Sequence, residues 1–376
     1  MKYITLYHLI FLVKIKFIMK VCIIGNSLTS LALAKALINN DIFVDIFYTN
    51  KKLHYNKTRT LGLSKSNIDY FNEHISDISK ILWPIKEIKI FSENSGHKEI
   101  IKFQDQNSNL FSIIQNHKIY SRLISELNKS KYFKLRKYTT LKNLNKFQYN
   151  LLINCDYNHE ITKKFFSKKF EKKYDGFAYT TIINHKKLSS NNFATQVFTN
   201  KGPLAFLPMS NDKTSIVYSL KKINNNIDIK KIISKFNFHY KIIGINEISK
   251  FKLKSLNLRS YHRGNILAFG DLLHKLHPLA GQGFNMSIRD IKNLLEIIDY
   301  KIKLGLPLDQ SVCSEFEKKV RSENFIFSEG VDFIYECFNS ENKIRNSFID
   351  TTVKYIGKNK LINKFFKKVA DTGLQI

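Results

Sequence analysis

The apolar positions change their period several times along the chain, and each change marks an element. Residues 20–25, KVCIIG, are an apolar run closed by a glycine, the pattern of a strand buried on both faces. Residues 27–40, SLTSLALAKALINN, carry Leu28, Leu31, Ala34 and Leu37 at helical spacing and stop at Asn39-Asn40. IFVDIFY, 42–48, is a second apolar strand, so the chain opens on a strand–helix–strand unit. Between 83 and 112, IKEIKIF and KEIIKF flank SENSGH as a hairpin-like pair. SRLISELNKS, 121–130, reads as a helix, and YNLLINCD, 149–156, as an apolar strand running to an acid. Over 174–220 the segments GFAYTTII, NFATQVFT, PLAFLPM and TSIVYSL read as strands. GNILAFGD, 264–271, returns to a buried strand. The helix after it places Ile288, Ile291, Leu294, Leu295 and Ile298 on one face, and the rest of the chain to Ile376 reads as mostly helical. Two strand-rich blocks therefore interrupt an α/β framework, with no internal repeat and no long linker.

Length and composition add bounds. A chain of 376 residues with 43% hydrophobic residues can bury two or three domain cores. The net charge of +30 invites a nucleic-acid reading. The lysines are spread along the chain, however, beside abundant Asn, Ile, Phe and Tyr, and no nucleic-acid-binding motif accompanies them, so no nucleic-acid partner is expected. A basic surface also suits an anionic membrane. Cys22, Cys155, Cys313 and Cys337 lack metal or redox spacing, which fits a reduced, cytoplasmic protein. Residues 1–18 are apolar but too short and interrupted for a span. Met19 follows them directly, so the extension is expected to lie outside the fold, as a dispensable arm or upstream of the true start. A weak membrane-surface anchor is the alternative.

The candidate chemistry sits in loops at strand ends. The first turn reads Gly25-Asn26-Ser27-Leu28-Thr29-Ser30, a G-x-G-x-x-G pattern with serines at the second and third glycine positions. Small residues there let backbone N–H groups approach a pyrophosphate at the helix N-terminus. An acid at the end of the second strand is absent; Tyr48 or Thr49 stands there. Taken alone, a structural strand–helix turn explains this motif about as well. Residues 270–285, GDLLHKLHPLAGQGFN, are more informative. Three of the chain's 14 glycines and one of its 5 prolines fall in this stretch, between a buried strand and a helix expected to begin near Asn285. Asp271 can accept hydrogen bonds from a polyol, and Gly281 and Gly283 expose backbone N–H groups to a flat ligand edge. His274 and His277 lack a third ligand, so no metal is expected. Phe206 and Tyr218 could face a substrate, with core packing as the default.

GDLLHKLHPLAGQGFNMSIRD closely resembles the second flavin-binding signature of FAD-dependent aromatic-ring hydroxylases, and is most similar to the branch that hydroxylates ubiquinone precursors. Leu272 and Leu273 replace a usual small pair, and Ser287 a usual glycine. ATQVFTNKGPLAFLPM, 194–209, resembles that branch's Gly-Pro-Leu-Ala-x-Leu-Pro strand, and TRTLGLSKSNI, 58–68, its arginine-containing segment. The likeness runs from about Met19 into the C-terminal helices. It implies that Gly25, Ser27 and Ser30 lie under the FAD pyrophosphate and that Arg59 reaches the flavin or its phosphates. It implies further that Asp271 binds the ribityl or pyrophosphate region, and that Leu279, Gly281, Gln282, Gly283 and Asn285 line the isoalloxazine. The third family motif, Asp-Gly followed by Ser and Arg, survives as Asp156, with Tyr157 in the glycine position and Lys163 near the arginine position. Arg122 is a further possible FAD contact, with a surface role as the alternative.

The fold implied is α/β with a p-hydroxybenzoate hydroxylase-like architecture: a Rossmann-like FAD-binding domain (19–82, 113–165 and 250–300) interrupted by a β-sheet substrate domain (83–112 and 166–249), with a helical C-terminal region (301–376). The function implied is an FAD-dependent monooxygenase that hydroxylates the aromatic ring of a polyprenylated ubiquinone precursor through a flavin C4a-hydroperoxide. NAD(P)H or another donor would supply electrons and O2 would be co-substrate. Partners would be the lipidic phenol or quinone precursor and other quinone-biosynthesis enzymes, with peripheral contact on the inner face of a membrane. The alternative is a non-catalytic, flavoprotein-like scaffold subunit of a quinone-biosynthesis complex.

Overall fold

The computed structural model describes residues 19–48, 57–93, 99–104, 109–138, 149–220, 227–276, 282–340 and 371–372. The extension 1–18 and the loop residues His277, Pro278, Leu279 and Gly281 lie outside the described residues. In chain order, β1 (Lys20–Ile24), α1 (Leu28–Ile38) and β2 (Phe43–Tyr48) form the opening unit, followed by β3 (Thr60–Ser64) and α2 (Lys65–His74). Then come β4 (Trp83–Ile85), the hairpin β5 (Glu87–Ser92) and β6 (Glu99–Gln104), β7 (Phe111–Gln115), α3 (Asn116–Leu127), β8 (Phe133–Lys137), β9 (Leu151–Asn154) and α4 (Glu160–Phe165). The long β10 (Lys169–His185) leads into β11 (Phe193–Thr199), β12 (Gly202–Pro208), β13 (Lys213–Leu220), α5 (Ile229–Lys235), β14 (Ile242–Ile245) and β15 (Ser249–Leu258). The chain returns through β16 (His262–Arg263), β17 (Ile266–Ala268) and β18 (His274–Lys275) to α6 (Gln282–Lys303) and α7 (Gln310–Ser340).

The apolar run of β1 ends up central, as a doubly buried strand should. Val21 to Ile24 are fully buried, and β1 pairs in parallel with β2 on one side and β9 on the other. The six-stranded order is β16-β17-β9-β1-β2-β8. α1 is buried on nearly every side, which its alanines allow by keeping its girth small. One acid sits inside this layer: Asp45 on β2 is buried, and Lys20 at 3.3 Å, Arg136 at 2.9 Å and the Tyr149 hydroxyl at 2.6 Å answer it.

The second layer is a nine-stranded sheet ordered β18-β15-β10-β13-β12-β11-β5-β6, with β14 paired to β10. Here the expected boundaries shift. β15 falls in the segment 250–300 assigned to the FAD-binding domain, but it pairs antiparallel with β10, so only the chain after it rejoins the parallel sheet. Its alternating lysines suit a half-exposed antiparallel strand rather than a doubly buried one. β3, β7 and β4 form a small sheet that straddles the expected boundary at 112.

α5 covers the outer face of the large sheet. Ile229, Ile233 and Phe236 pack with Tyr240 against Ile183, Val197, Leu204, Phe206, Ile216, Tyr218 and Leu220. Phe206 and Tyr218 are therefore core residues on the helix-covered face, as the default of core packing expects. On the opposite, inner face, Ala194 packs with Ile85 and Ile113 of the small sheet. Hydroxyl pairs Thr58–Thr180 at 3.1 Å and Thr60–Ser215 at 2.9 Å tie β3 and the residues before it to that face.

Candidate functional site

The C-terminal ends of β1, β9 and β17 meet around the first turn of α1. Gly25 has φ +96°, and a Cβ built on it would lie 3.2 Å from Asp156 Cβ, so glycine lets the two strand ends close up. Ser27 caps α1: its Oγ accepts from the Ser30 N–H at 3.2 Å and lies 3.0 Å from Ser30 Oγ. No acid stands in the first turn of α1, which leaves its positive end uncompensated by its own helix. Asp156 accepts from the Asn158 N–H at 2.9 Å and its carbonyl accepts from Thr162 Oγ1 at 2.7 Å, so it shapes the turn into α4. Gly270 has φ +64° and a Cβ there would meet Thr29 at 3.0 Å, which seats the end of β17 against α1 and sets exposed Asp271 beside it. Asp271 and Asp156 both flank Cys155, whose thiol is pushed up to about 12, chiefly by burial. Five of the expected residues, Gly25, Ser27, Ser30, Asp156 and Asp271, are thus brought to one corner.

The second group stands at the start of α6. This helix begins at Gln282, three residues before the expected start at Asn285. Gln282 Oε1 is buried and accepts no hydrogen bond among the described residues. A Cβ built on Gly283 meets nothing within 4 Å. Asn285 is committed elsewhere: its Nδ2 donates to Gly62 O at 2.8 Å and its Oδ1 accepts from Ser64 N–H at 3.1 Å and from Asn67 Nδ2 at 3.3 Å. It fastens α6 to β3 and α2 rather than presenting a free amide to a ligand. The same corner receives the far end of the chain. Ser66 N–H donates to Asp371 Oδ1 at 2.9 Å, and Ser64 Oγ and Ser66 Oγ donate to the Asp371 carbonyl at 3.0 and 2.9 Å.

A third group had little signal in local sequence. Tyr157, in the position where a glycine was expected, has two ammonium groups against its ring: Lys254 Nζ is 3.9 Å and Lys169 Nζ 4.3 Å from its ring centre. Lys169 also donates to the Tyr157 hydroxyl, and Glu171 lies 3.6 Å from Lys169 and 3.9 Å from Lys254. Half-buried Lys275 on β18 is held below the usual lysine value. Burial is the main cause, Lys254 and Arg59 add repulsion, and Asp271 opposes. Arg59 is exposed just before β3 and so faces this cluster. Arg122 does not join it; its Nε donates to Ser76 Oγ and Glu126 Oε1, both at 3.1 Å, and the structural alternative applies. Buried His274 is used internally, with Nε2 2.5 Å from Asp290 Oδ2. The lysines come from three strands far apart in sequence; only the tyrosine at 157 and the lysine inside the glycine-rich loop could have drawn notice.

A family model described as an FAD binding domain matches residues 228–303, which include the Gly-Asp and Gln-Gly elements and α6. The 3-demethoxyubiquinol 3-hydroxylase of Escherichia coli (strain K12) is 27% identical over 154 residues, covering 39% of this chain and 39% of that protein. The mitochondrial ubiquinone biosynthesis monooxygenase COQ6 of Drosophila melanogaster is 20% identical over 390 residues, covering 84% of this chain and 81% of that one. The first three curated relatives are matched over only 39%, 41% and 42% of their own lengths. Among solved structures, p-nitrophenol 4-monooxygenase PnpA of Pseudomonas putida DLL-E4 superposes with a TM-score of 0.75 at 12% identity, covering 96% of this chain and 99% of that one. Klebsiella pneumoniae HpxO, complexed with FAD and uric acid, gives 0.71 at 11% identity, covering 94% and 96%. The chain therefore has the fold of the FAD-dependent aromatic-ring hydroxylases, of the p-hydroxybenzoate hydroxylase type, and it is related in sequence to the ubiquinone-biosynthesis hydroxylases among them.

Proposed function

We propose that this protein is an FAD-dependent monooxygenase that hydroxylates the aromatic ring of a polyprenylated ubiquinone precursor, with O2 as co-substrate and NAD(P)H as electron donor. The observation that carries the reading is the convergence of the α1 N-terminus and Asp271 at the C-terminal ends of β1, β9 and β17, with α6 packed against α1. The residues present fit FAD. Among the described residues, the buried Gln282 Oε1 has no donor and nothing stands within 4 Å of a Cβ on Gly283, and the first turn of α1 carries no acid of its own. When bound, the flavin would activate O2 for transfer of one oxygen to an electron-rich ring.

The chain's own residues bind and orient. The α1 N-terminus and Arg59 would hold phosphate charge, and Asp271 would accept from ribityl hydroxyls. Gly25 and Gly270 keep side chains out of the corner so that strand ends and helix stay in register. Asn285 fixes the start of α6 against β3 and α2 through its three hydrogen bonds. On the inner face of the large sheet, Ala194 packs with Ile85 and Ile113 of the small sheet as a buried core, bordered by partly buried Trp83, Phe111, Leu207 and Met209. Lys169, Lys254 and Lys275 supply positive charge for the phosphates of a dinucleotide reductant.

The test is direct. The purified full chain is titrated with FAD, then given NADPH, labelled O2 and a prenylated phenol, and the product is weighed by mass spectrometry. Gain of one labelled oxygen supports the reading. A colourless protein that binds no FAD, yet retains quinone-biosynthesis enzymes, would instead make it a scaffold subunit. Deleting the gene and identifying the accumulated intermediate assigns the ring position.

A further inference from the structure

On the far side of β10 from Tyr157, the strand turns an aromatic ring outward. Phe170 is 48% exposed, and its ring centre lies 5.8 Å from that of Phe325 on α7. Phe325 at 40%, Ile326 at 44% and Phe333 at 68% exposure continue the apolar strip along α7. Ile326 and Phe333 are seven residues apart, two helical turns, and so share a face. Four large apolar side chains held open on adjoining elements are more than scattered surface residues. Their surroundings carry a sign. Arg259 stacks over the Phe170 ring at 4.4 Å, exposed Lys168 and Lys172 flank Phe170 along the chain, and exposed Lys318 stands seven residues before Phe325. Against these stand exposed Glu329 and Glu336, the latter already bonded to Lys172. No helix among the described residues is long and apolar enough to cross a membrane.

We infer that this face docks on the surface of an anionic lipid bilayer, with Phe170, Phe325, Ile326 and Phe333 entering the interface and the surrounding cations meeting headgroup charge. Rings and a β-methyl branch beside basic side chains are the chemistry of interfacial attachment, where apolar insertion and headgroup attraction add. The chain's excess of 61 Lys and Arg over 31 Asp and Glu gives this face a background field of matching sign. The inference deepens the lipid-substrate reading, since a docked enzyme meets a polyprenylated ring where it resides.

The full chain is sedimented with phosphatidylcholine vesicles and with vesicles that also contain phosphatidylglycerol, beside the variants Phe325→Ser/Phe333→Ser and Lys168→Glu/Arg259→Glu. Because Phe333 is 68% and Phe325 40% exposed, the first variant is expected to lose little melting temperature and no flavin content. Wild type is expected to partition onto the anionic vesicles, with roughly tenfold or greater loss of partitioning in the serine variant. Loss in the glutamate variant is expected to shrink as salt is raised. Variants that bind anionic vesicles as tightly as wild type would overturn the inference. So would a wild type that is a stable dimer by light scattering and becomes monomeric in the serine variant, since the strip then covers a second copy. Vesicle binding without flavin would leave this inference standing while the enzyme reading fails, so the two failures are distinguishable.

Discussion

Gly283 and Gly25 illustrate two different uses of the same residue. At Gly283 a methyl group meets nothing and φ lies outside the left-handed region, so the protein itself does not require glycine there. Gly283→Ala should therefore keep or raise stability, by about 0.5–1 kcal/mol for alanine in a helix. Bound FAD should nevertheless fall, because the added atom fills space left for the ligand. Melting temperature and flavin absorbance on one preparation decide it, and full flavin retention would refute a ligand role for this glycine. Gly25→Ala should instead cost about 1–3 kcal/mol in the fold, since its φ is positive and Asp156 crowds the new atom. Asp271→Ala, at an exposed position, should leave stability alone and weaken FAD binding roughly tenfold to a hundredfold, the loss of one charge-assisted hydrogen bond. The Gly25, Ser27, Asp156 and Asp271 corner was legible in sequence because each residue sits at the end of a recognisable strand or the start of a helix. Asn285 was legible only in position. Its commitment to Gly62, Ser64 and Asn67 depends on a partner element that no local pattern announces.

Elements show where periodicity informs and where it stops. β1, β9 and the helix α6 were readable from buried runs and helical spacing, and so was the β5–β6 pair. β15 was recognisable as a strand but not as a member of one sheet, since alternation fixes which face is wet and not which neighbour supplies hydrogen bonds. Short α4 depends on its ends: the Ile161 N–H donates to His159 Nδ1 at 3.2 Å, and His159 Nε2 is buried with no hydrogen-bond partner among the described residues. Burial holds this imidazole below its ordinary value despite Asp156 and Glu160 nearby. A histidine depressed in the folded state binds its proton more readily when unfolded, so its contribution to stability is lost as pH falls below about 6.5. His159→Asn keeps a capping acceptor and should flatten that acid limb in urea unfolding, whereas His159→Ala should cost about 1 kcal/mol at neutral pH. An unchanged acid limb in both variants would place the sensitivity elsewhere. At α2 the cap is borrowed from the end of the chain. Asp371→Ala should loosen the Ser64–Ser66 corner and weaken FAD binding through Asn285, with rescue by Asp371→Asn, whose amide oxygen can still accept from Ser66. Failure of that rescue would mean the carboxylate charge, rather than the hydrogen bond, is what α2 needs.

At the scale of the whole molecule, three neighbouring strands of the large sheet bring their lysines to a residue at the end of a strand of the parallel sheet. Lys275 comes from β18, Lys254 from β15, Lys169 from β10, Tyr157 from the end of β9 and Arg59 from the approach to β3. Long-range topology assembles this group, which is why composition showed only a diffuse excess of lysine. The cluster makes a prediction with two opposite signs. Lys275 is depressed from 10.5, mainly by burial, so the unfolded chain holds its proton more firmly than the folded one. Stability of the free protein should therefore gain from this residue as pH rises through the depressed value toward 10.5. A bound phosphate favours the charged ammonium and must recruit that proton, so dinucleotide affinity should fall over the same range, by up to about tenfold per pH unit for one linked proton. Lys275→Met keeps the apolar stem and removes the charge. It should flatten both curves, lowering affinity at neutral pH while sparing or raising stability. Titrations with FAD and with NADPH, alongside chemical unfolding across neutral to alkaline pH, separate these trends. If affinity and stability instead fall together in wild type, and Lys275→Met changes neither slope, the ammonium at 275 does not face the ligand and the cluster's charge serves only to hold its own acids.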